Sequence, residues 1–313
     1  MSRAPHPAVA ETRVAVRALL PDRGRGLVVA CSGGADSLAL AAAARHCADR
    51  VAGVVVDHGL QPGSAEVART AAEQLRGLGL DPVRVVAVEV TGRGGPEAAA
   101  RRARYAALRA AAGEDTVLLG HTRDDQAETV LLGLGRGSGP RSIAGMRPLD
   151  PPWARPFLGV ARATTEAACA ALGLTPWHDP HNDDPRYTRV RLRREVLPLL
   201  EEVLQGGVAG ALARTAAQLR DDLAALDELA DGLFDPALRE LPVEVVATVP
   251  AALRRRVLRR WLLASGVPEL TDPHLRAVEA LVTRWRGQGG VALPGGLEAR
   301  RAHGRLACDR PDT

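Results

Sequence analysis

Three stretches of this 313-residue chain concentrate side chains able to do chemistry. The first is Ser32-Gly33-Gly34-Ala35-Asp36-Ser37. Gly33 and Gly34 lack a Cβ, so the backbone can turn sharply there and bring its N–H groups close to an anion. Ser32 and Ser37 add hydroxyl donors. A carboxylate such as Asp36 is repelled by a phosphate unless a cation lies between them, and Mg²⁺ bridging the two is the simplest arrangement. In an isolated Ser-Gly-Gly, Asp36 or Ser37 would merely cap a helix. The second stretch is Asp57-His58-Gly59. The third runs from Gly120-His121 through Asp124-Asp125 to Glu128. Asp125 and Glu128 are three apart, hence on one face of a helix, and near its N-terminus, where carboxylates are favoured. They read either as a plain N-terminal charge cluster or as a second Mg²⁺ or substrate site. His121 is either a general base or a strand-end hydrogen bonder.

The elements that must position these residues alternate. Leu27–Cys31 is an apolar, β-branched run of the kind expected for a buried parallel strand, and an Ala/Leu-rich helix follows from Ser37. Strand, glycine turn and helix start in direct succession aim backbone N–H groups at a phosphate, which favours that reading over simple capping. Val51–Val56, Val83–Val90 and Thr116–Leu119 read as further strands. Helices are expected over about 64–78, 96–112 and 124–134, with Pro96 and Glu97 placed as at a helix start. This alternation predicts an α/β fold with a doubly wound parallel sheet. All three stretches then fall at the carboxyl edge of the sheet, where ligands of such folds sit.

Gly133 to Arg155, rich in Gly, Pro and Arg, reads as a functional loop, and Pro176 to Thr188 as another. Thr164–Leu172 and a basic segment over about 189–204 are expected helices. Gln205-Gly206-Gly207 marks the expected boundary, giving a catalytic domain over 1–206 and a smaller, mainly helical domain over 207–313. The latter has amphipathic helices over 212–233, 251–264 and 273–285, and a β hairpin or meander over 290–309.

Composition narrows the function classes. Hydrophobic residues at 46% and charged ones at 25% describe a soluble globular chain, and the net charge of +4 permits an RNA partner. Aromatics at 3% are too sparse for base-stacking platforms, and Trp261 and Trp285 are expected in the core. Every basic residue other than histidine is Arg. The four cysteines, Cys31, Cys47, Cys169 and Cys308, form no CxxC pair, so neither a disulfide framework nor a zinc site is expected, and a reducing cytoplasm fits. Neither a signal peptide nor a membrane span is expected.

SGGADS is not a Walker A loop, since its glycine spacing differs and no Lys follows. It resembles the SGGxDS loop of the ATP pyrophosphatase (PP-loop) superfamily, whose members cut ATP between the α- and β-phosphates and adenylate a carbonyl-type oxygen. The later motifs resemble one member family, tRNA(Ile)-lysidine synthetase. These are VDHGL at Val56–Leu60, EAAARRARY at Glu97–Tyr105, GHTRDDQAETVLLGLGRGSG from Gly120, RPFLGVAR at Arg155–Arg162, and DPHNDDPRYTRVRLRREVLP at Asp179–Pro198. Thr122, His181 and Val190 depart from the pattern.

The resemblance implies ATP-dependent attachment of the lysine ε-amine to the 2-carbon of the wobble cytidine in the isoleucine tRNA with anticodon CAU, through an adenylated cytosine. It implies ATP binding by Ser32, Gly33, Gly34, Ala35, Asp36, Ser37, Val56 and His121, with Mg²⁺ near Asp36 and Asp125. Arg101 and Arg193 match arginines that contact the reacting groups, although Arg101, Arg102 and Arg104 could also be a solvated helix face. Glu128 matches an acid oriented toward the lysine amine. Expected tRNA contacts are Arg136, Arg189, Arg255 and Arg259. The last two belong to the dense run Arg254-Arg255-Arg256 and Arg259-Arg260, which reads as a solvated face or, beside a tRNA-modifying domain, as a set of phosphate contacts. A homodimer is compatible with the sequence. Two alternatives are a tRNA-thiolating enzyme of the same superfamily, which would need a sulfur-relaying cysteine cluster, and a non-catalytic nucleotide-binding module. The second has no use for Asp36, Asp125 and Glu128 together.

Overall fold

A computed structural model describes residues 4–20, 26–59, 61, 63–91, 95–137, 139–235 and 237–310, with the side chains of Pro96 and Glu97 set aside. Leu60, the last residue of the Val56–Leu60 motif, and Ser138, in the glycine-rich loop, lie outside the described residues. The chain divides into two compact units, Met1–Leu219 and Arg220–Thr313.

The first unit alternates helix and strand: α1 (Pro7–Leu19), β1 (Leu27–Cys31), α2 (Ala35–Cys47), β2 (Val51–Asp57), α3 (Ser64–Gly77), β3 (Val83–Ala87), α4 (Pro96–Ala112), β4 (Thr116–Leu119) and α5 (Arg123–Gly135). Then come α6 (Pro140–Ile143), the two-residue strands β5 (Leu149–Asp150) and β6 (Trp153–Ala154), and α7 (Arg162–Ala171). The sheet order is β3-β2-β1-β4-β6-β5, parallel throughout except for the antiparallel β5–β6 pair. The β5–β6 hairpin lies in the stretch read from sequence as loop, because two-residue strands carry no periodicity.

The continuous apolar character of β1 and β2 has a simple cause: both faces are covered. Leu27, Val29 and Cys31 pack with residues of α1, α2, α3 and α7, while Val28 packs on the opposite face against Leu108 and Ala112 of α4. α8 (Thr188–Arg191), a π-helical turn at Leu192–Val196 and α9 (Leu197–Val203) together form the basic segment expected over 189–204. It ends at Gln205-Gly206-Gly207, all three with positive φ, before α10 (Val208–Asp231). The compact units divide twelve residues later, inside α10.

The second unit holds the end of α10, β7 (Leu241–Pro242), α11 (Val243–Ala247), α12 (Ala251–Ala264), α13 (Asp272–Thr283), β8 (Val291–Leu293), β9 (Leu297–Ala302) and β10 (Arg305–Asp309). Its antiparallel sheet has the order β7-β10-β9-β8, so the expected tail meander is present, with β7 added. Trp261 is fully buried and donates its indole N–H to the Arg239 carbonyl at 3.1 Å. Trp285, expected in the core, is instead 37% exposed, with the Arg301 guanidinium 5.1 Å from its ring. Among the described residues no single helix is long and apolar enough to cross a membrane.

The arginine run on α12 also differs from expectation. Arg254 and Arg255 both bind Glu279 of α13, with Nε–O distances of 3.0 and 2.7 Å. Arg256 and Arg260 bind Asp227, and Arg260 also binds Asp231. Only Arg259 is exposed. Neither a solvated face nor an open phosphate track describes this arrangement, because four of the five guanidinium groups, all but that of Arg259, are engaged by carboxylates of their own unit. Replacing Arg254 and Arg255 together with Met is therefore expected to strand Glu279, which is 8% exposed. Discounted for the partial exposure of Arg255, the cost is about 2–3 kcal/mol in a denaturant titration, and adding Glu279→Met should recover most of it. A surface cluster would give a change within about 0.5 kcal/mol.

Candidate active site

A cavity of about 910 Å³ opens at the carboxyl ends of β1, β2 and β4 and is walled by all three chemistry-bearing stretches. Gly33 makes the turn after β1 with φ +83°, a conformation that resists any side chain. Its carbonyl accepts from the Trp177 N–H at 2.9 Å, which ties the loop to the turn-rich segment 176–188. The Ser37 hydroxyl donates to the Gly34 carbonyl at 2.9 Å and accepts from the Ser32 N–H at 3.2 Å. The loop is thus preformed, and α2 begins with its N-terminal amides at the cavity. Gly120, at the end of β4, lets that strand pass close to the loop: a Cβ there would lie 3.1 Å from backbone atoms of Asp36 and Ser37.

Ser32, Gly34, Ala35, Asp36, Ser37, Val56 and His121 all line the cavity, as expected of a nucleotide site. Gly33 shapes the turn from behind. Asp125 lines it too, from the first turn of α5. Thr122 caps that helix, and Asp125 completes the capping box: its carboxylate accepts from the Thr122 N–H at 2.8 Å. Burial works against the Asp125 charge, but Arg162 and the Thr122 amide overcome it and hold the carboxyl below its ordinary range.

Arg162 was not singled out in the sequence, although it closes the RPFLGVAR motif. At the start of α7, its guanidinium reaches Asp125 at 2.7 Å and Asp36 at 3.5 Å, and its backbone N–H reaches Asp124 at 2.9 Å. Thr165, one turn on and fully buried, donates to Asp36. Burial raises the Asp36 carboxyl to about 6, against the pull of Thr165 and Arg162. Two carboxylates on one wall, beside a loop built for phosphate, are the hard-oxygen donors that Mg²⁺ takes together with phosphate oxygens and water. Among the described residues no three His, Cys, Asp or Glu groups form a cage, so a cation there would depend on substrate oxygens to complete its shell.

Glu128 lies one turn beyond Asp125 and is fully buried, beneath the cavity wall. Arg193 binds it at 2.8 Å and reaches Asp125 at 3.5 Å, and Arg189 approaches it at 3.5 Å. Arg193 therefore faces the cavity as expected, while Arg189 is spent on Glu128 and Thr129. Arg136 is exposed at the end of α5. Arg101 does not line the cavity. It is exposed on α4, over the Tyr105 ring at 4.7 Å, whereas Arg104 does line the cavity. His121 is held neutral, its proton affinity pushed down to about 3 chiefly by burial, so it offers a hydrogen bond and is not a base at neutral pH.

The fold gathers no cysteine cluster among the described residues. Cys31 and Cys169 flank the glycine loop, Cys47 ends α2, and Cys308 belongs to the second unit. Burial pushes the Cys31 thiol up, and the Cys169 thiol to about 11, so neither offers a thiolate. Replacing all four with Ala is expected to preserve turnover, at a packing cost of about 1 kcal/mol for each fully buried thiol. A folded but inactive single-cysteine variant would restore a thiol mechanism.

Two family models match the chain: a PP-loop domain over residues 9–200 and a TilS substrate binding domain over 241–307. The tRNA(Ile)-lysidine synthase of Rhodococcus erythropolis is 58% identical over 309 residues, covering 96% of this chain and 95% of that protein. The enzyme of the same name from Nocardia farcinica is 60% identical over 298 residues, covering 93% and 94%. Among solved structures, the U34-tRNA thiolase NcsA from Methanococcus maripaludis, with its 4Fe-4S cluster, aligns at a TM-score of 0.57 and 18% identity, over 68% of this chain and 79% of its own. That likeness is one of fold.

Proposed function

The chain belongs to the tRNA(Ile)-lysidine synthase family, and on that premise we propose that it uses ATP to join lysine to the 2-carbon of the wobble cytidine in the isoleucine tRNA with anticodon CAU. The observation that carries this reading is the meeting of a preformed phosphate loop with the Asp36–Arg162–Asp125 network on one cavity wall.

Two displacements make up the reaction. The cytosine O2 attacks the α-phosphorus of ATP and pyrophosphate leaves; then the lysine ε-nitrogen, having given up a proton, attacks C2 and AMP leaves. Amides of the SGGADS turn and of the α2 N-terminus bind phosphate oxygens, and Val56 at the end of β2 lines the same nucleotide cavity. Asp36 and Asp125 would hold Mg²⁺, which when bound supplies positive charge against the phosphates. Arg193, held in place by Glu128, presents its guanidinium to developing negative charge. Asp36, Asp125 and the exposed Glu166 give the cavity wall an acidic side suited to the lysine amine, with Glu128 beneath. The second unit contributes tRNA contacts, and Arg136 and the exposed Arg259 are the expected contacts that no carboxylate engages among the described residues.

The test is stoichiometric. Incubation with labelled lysine, ATP and the CAU isoleucine tRNA should yield one AMP and one pyrophosphate per lysine incorporated. ATP cleaved to ADP, or consumed without label entering the RNA, would overturn the reading.

A further inference from the structure

Arg104 faces the cavity from α4, together with His58 just beyond β2 and His121 just beyond β4. Each carries a nitrogen shielded from solvent and without a hydrogen-bond partner: Arg104 Nε, His58 Nδ1 and His121 Nδ1. Among the described residues no carboxylate pairs with Arg104; its nearest aromatic contact is Tyr105 on its own helix, 5.6 Å to the ring centroid. The other cavity arginines differ. Arg162 and Arg193 are each paired with carboxylates among Asp36, Asp125 and Glu128, and Arg194 is bound to Asp183. A shielded guanidinium with no counter-ion opposes folding, and three unmatched polar atoms on one wall mark a place where ligand atoms are missing.

The surroundings define the ligand's sign. Burial, then the charge of Arg104, keeps His58 neutral despite Asp57, and burial with Arg104, Arg155 and Arg101 does the same to His121 despite Asp125. Neutral imidazoles can donate N–H groups without adding further positive charge. One fixed cation and two neutral donors suit a single oxyanion.

We propose that Arg104, His58 and His121 form a subsite for an oxyanion carried by a substrate, distinct from the phosphate cradle of the glycine loop. Two groups in the reaction read above have that chemistry: the α-carboxylate of lysine and a phosphate flanking the target cytidine. The assignment rests on that reading. Arg104 is a substrate-contact residue in this account, while Arg101 sits outside the cavity wall.

The test uses full-length Arg104→Met and Arg104→Lys proteins. Arg104→Met should leave the Tm unchanged or raise it, because it removes a shielded charge that only Tyr105, and no carboxylate among the described residues, partners. It should raise KM for one substrate roughly ten- to a hundredfold, the range expected for losing a charged hydrogen bond, and Arg104→Lys should recover part of that. If lysine carries the oxyanion, KM for lysine rises and the wild-type preference for lysine over 1,5-diaminopentane disappears. If tRNA carries it, KM for tRNA rises and the slope of log affinity against log salt falls by roughly 0.7–0.9. In both arms KM for ATP stands. A lowered Tm with every KM unchanged, or a rise confined to ATP, overturns the proposal. Should the wild-type chain transfer no lysine at all, the functional reading fails separately. Equilibrium binding of lysine and of tRNA to wild type and Arg104→Met then decides the subsite alone, and equal affinities would reject it.

Discussion

Asp36→Asn is expected to lower ATP-dependent adenylation by roughly 10²–10³-fold, the usual cost of removing one electrostatic stabiliser, while leaving the first unit folded. Asparagine keeps the shape and can still accept from Thr165, so the change removes charge and little else. What it removes is the carboxylate that Arg162 links to Asp125 across the mouth of the phosphate loop. The same residue sets a pH dependence. Burial moves its carboxyl from 3.8 up to about 6, so folding favours the protonated form. The stability this contributes is complete below about pH 3.8 and is lost as pH rises through about 6. Activity runs the other way: kcat/KM should climb as pH rises through about 6, because the charged form is the useful one. In Asp36→Asn that limb should vanish from the residual activity. A variant with near wild-type pyrophosphate release would remove Asp36 from the mechanism.

Arg193→Met carries the largest expected effect on stability. Glu128 is fully buried, and its close partner is the Arg193 Nε at 2.8 Å, with Arg189 more distant at 3.5 Å. Deleting one partner of such a pair leaves an uncompensated buried charge, at a cost of about 3–5 kcal/mol. Glu128 would respond by taking up a proton, since burial already raises its carboxyl and Arg193 is the main opposing influence. Adding Glu128→Gln to Arg193→Met should therefore return most of the stability and none of the activity. Equilibrium denaturation of the single and double variants, beside single-turnover assays, separates the two effects. If the double variant regains turnover, Arg193 serves only the fold.

The glycine loop, its flanking strand and helix, and the convergence of three motifs on one sheet edge could be read in the sequence because local rules fix them. A β-branched run, a Gly-Gly turn and a helix start are written in contiguous residues, and a parallel sheet then aligns the strand ends. Arg162 could not be read that way. It meets Asp125 across 37 residues of chain and Asp36 across more, and only the docking of α7 beside α2 brings them together. The exchange between Arg101 and Arg104 has a similar origin: residues three apart share a helix face but are offset by about 60° around the axis, and which of the two reaches the cavity depends on how α4 lies on the sheet. On α12 the periodicity correctly implied a helix. The acids that neutralise it, Glu279 of α13 and Asp227 of α10, lie 24 and 29 positions from their arginine partners and leave no local sign.

The most direct measurement is mass spectrometry of nucleosides from the CAU isoleucine tRNA after incubation with the purified chain, ATP and lysine. The expected product is a wobble cytidine heavier by one lysine less one water, formed only when ATP is present and formed roughly 10²–10³-fold more slowly with Asp36→Asn. An unmodified cytidine, or a pyrimidine that has gained sulfur instead, would contradict the account.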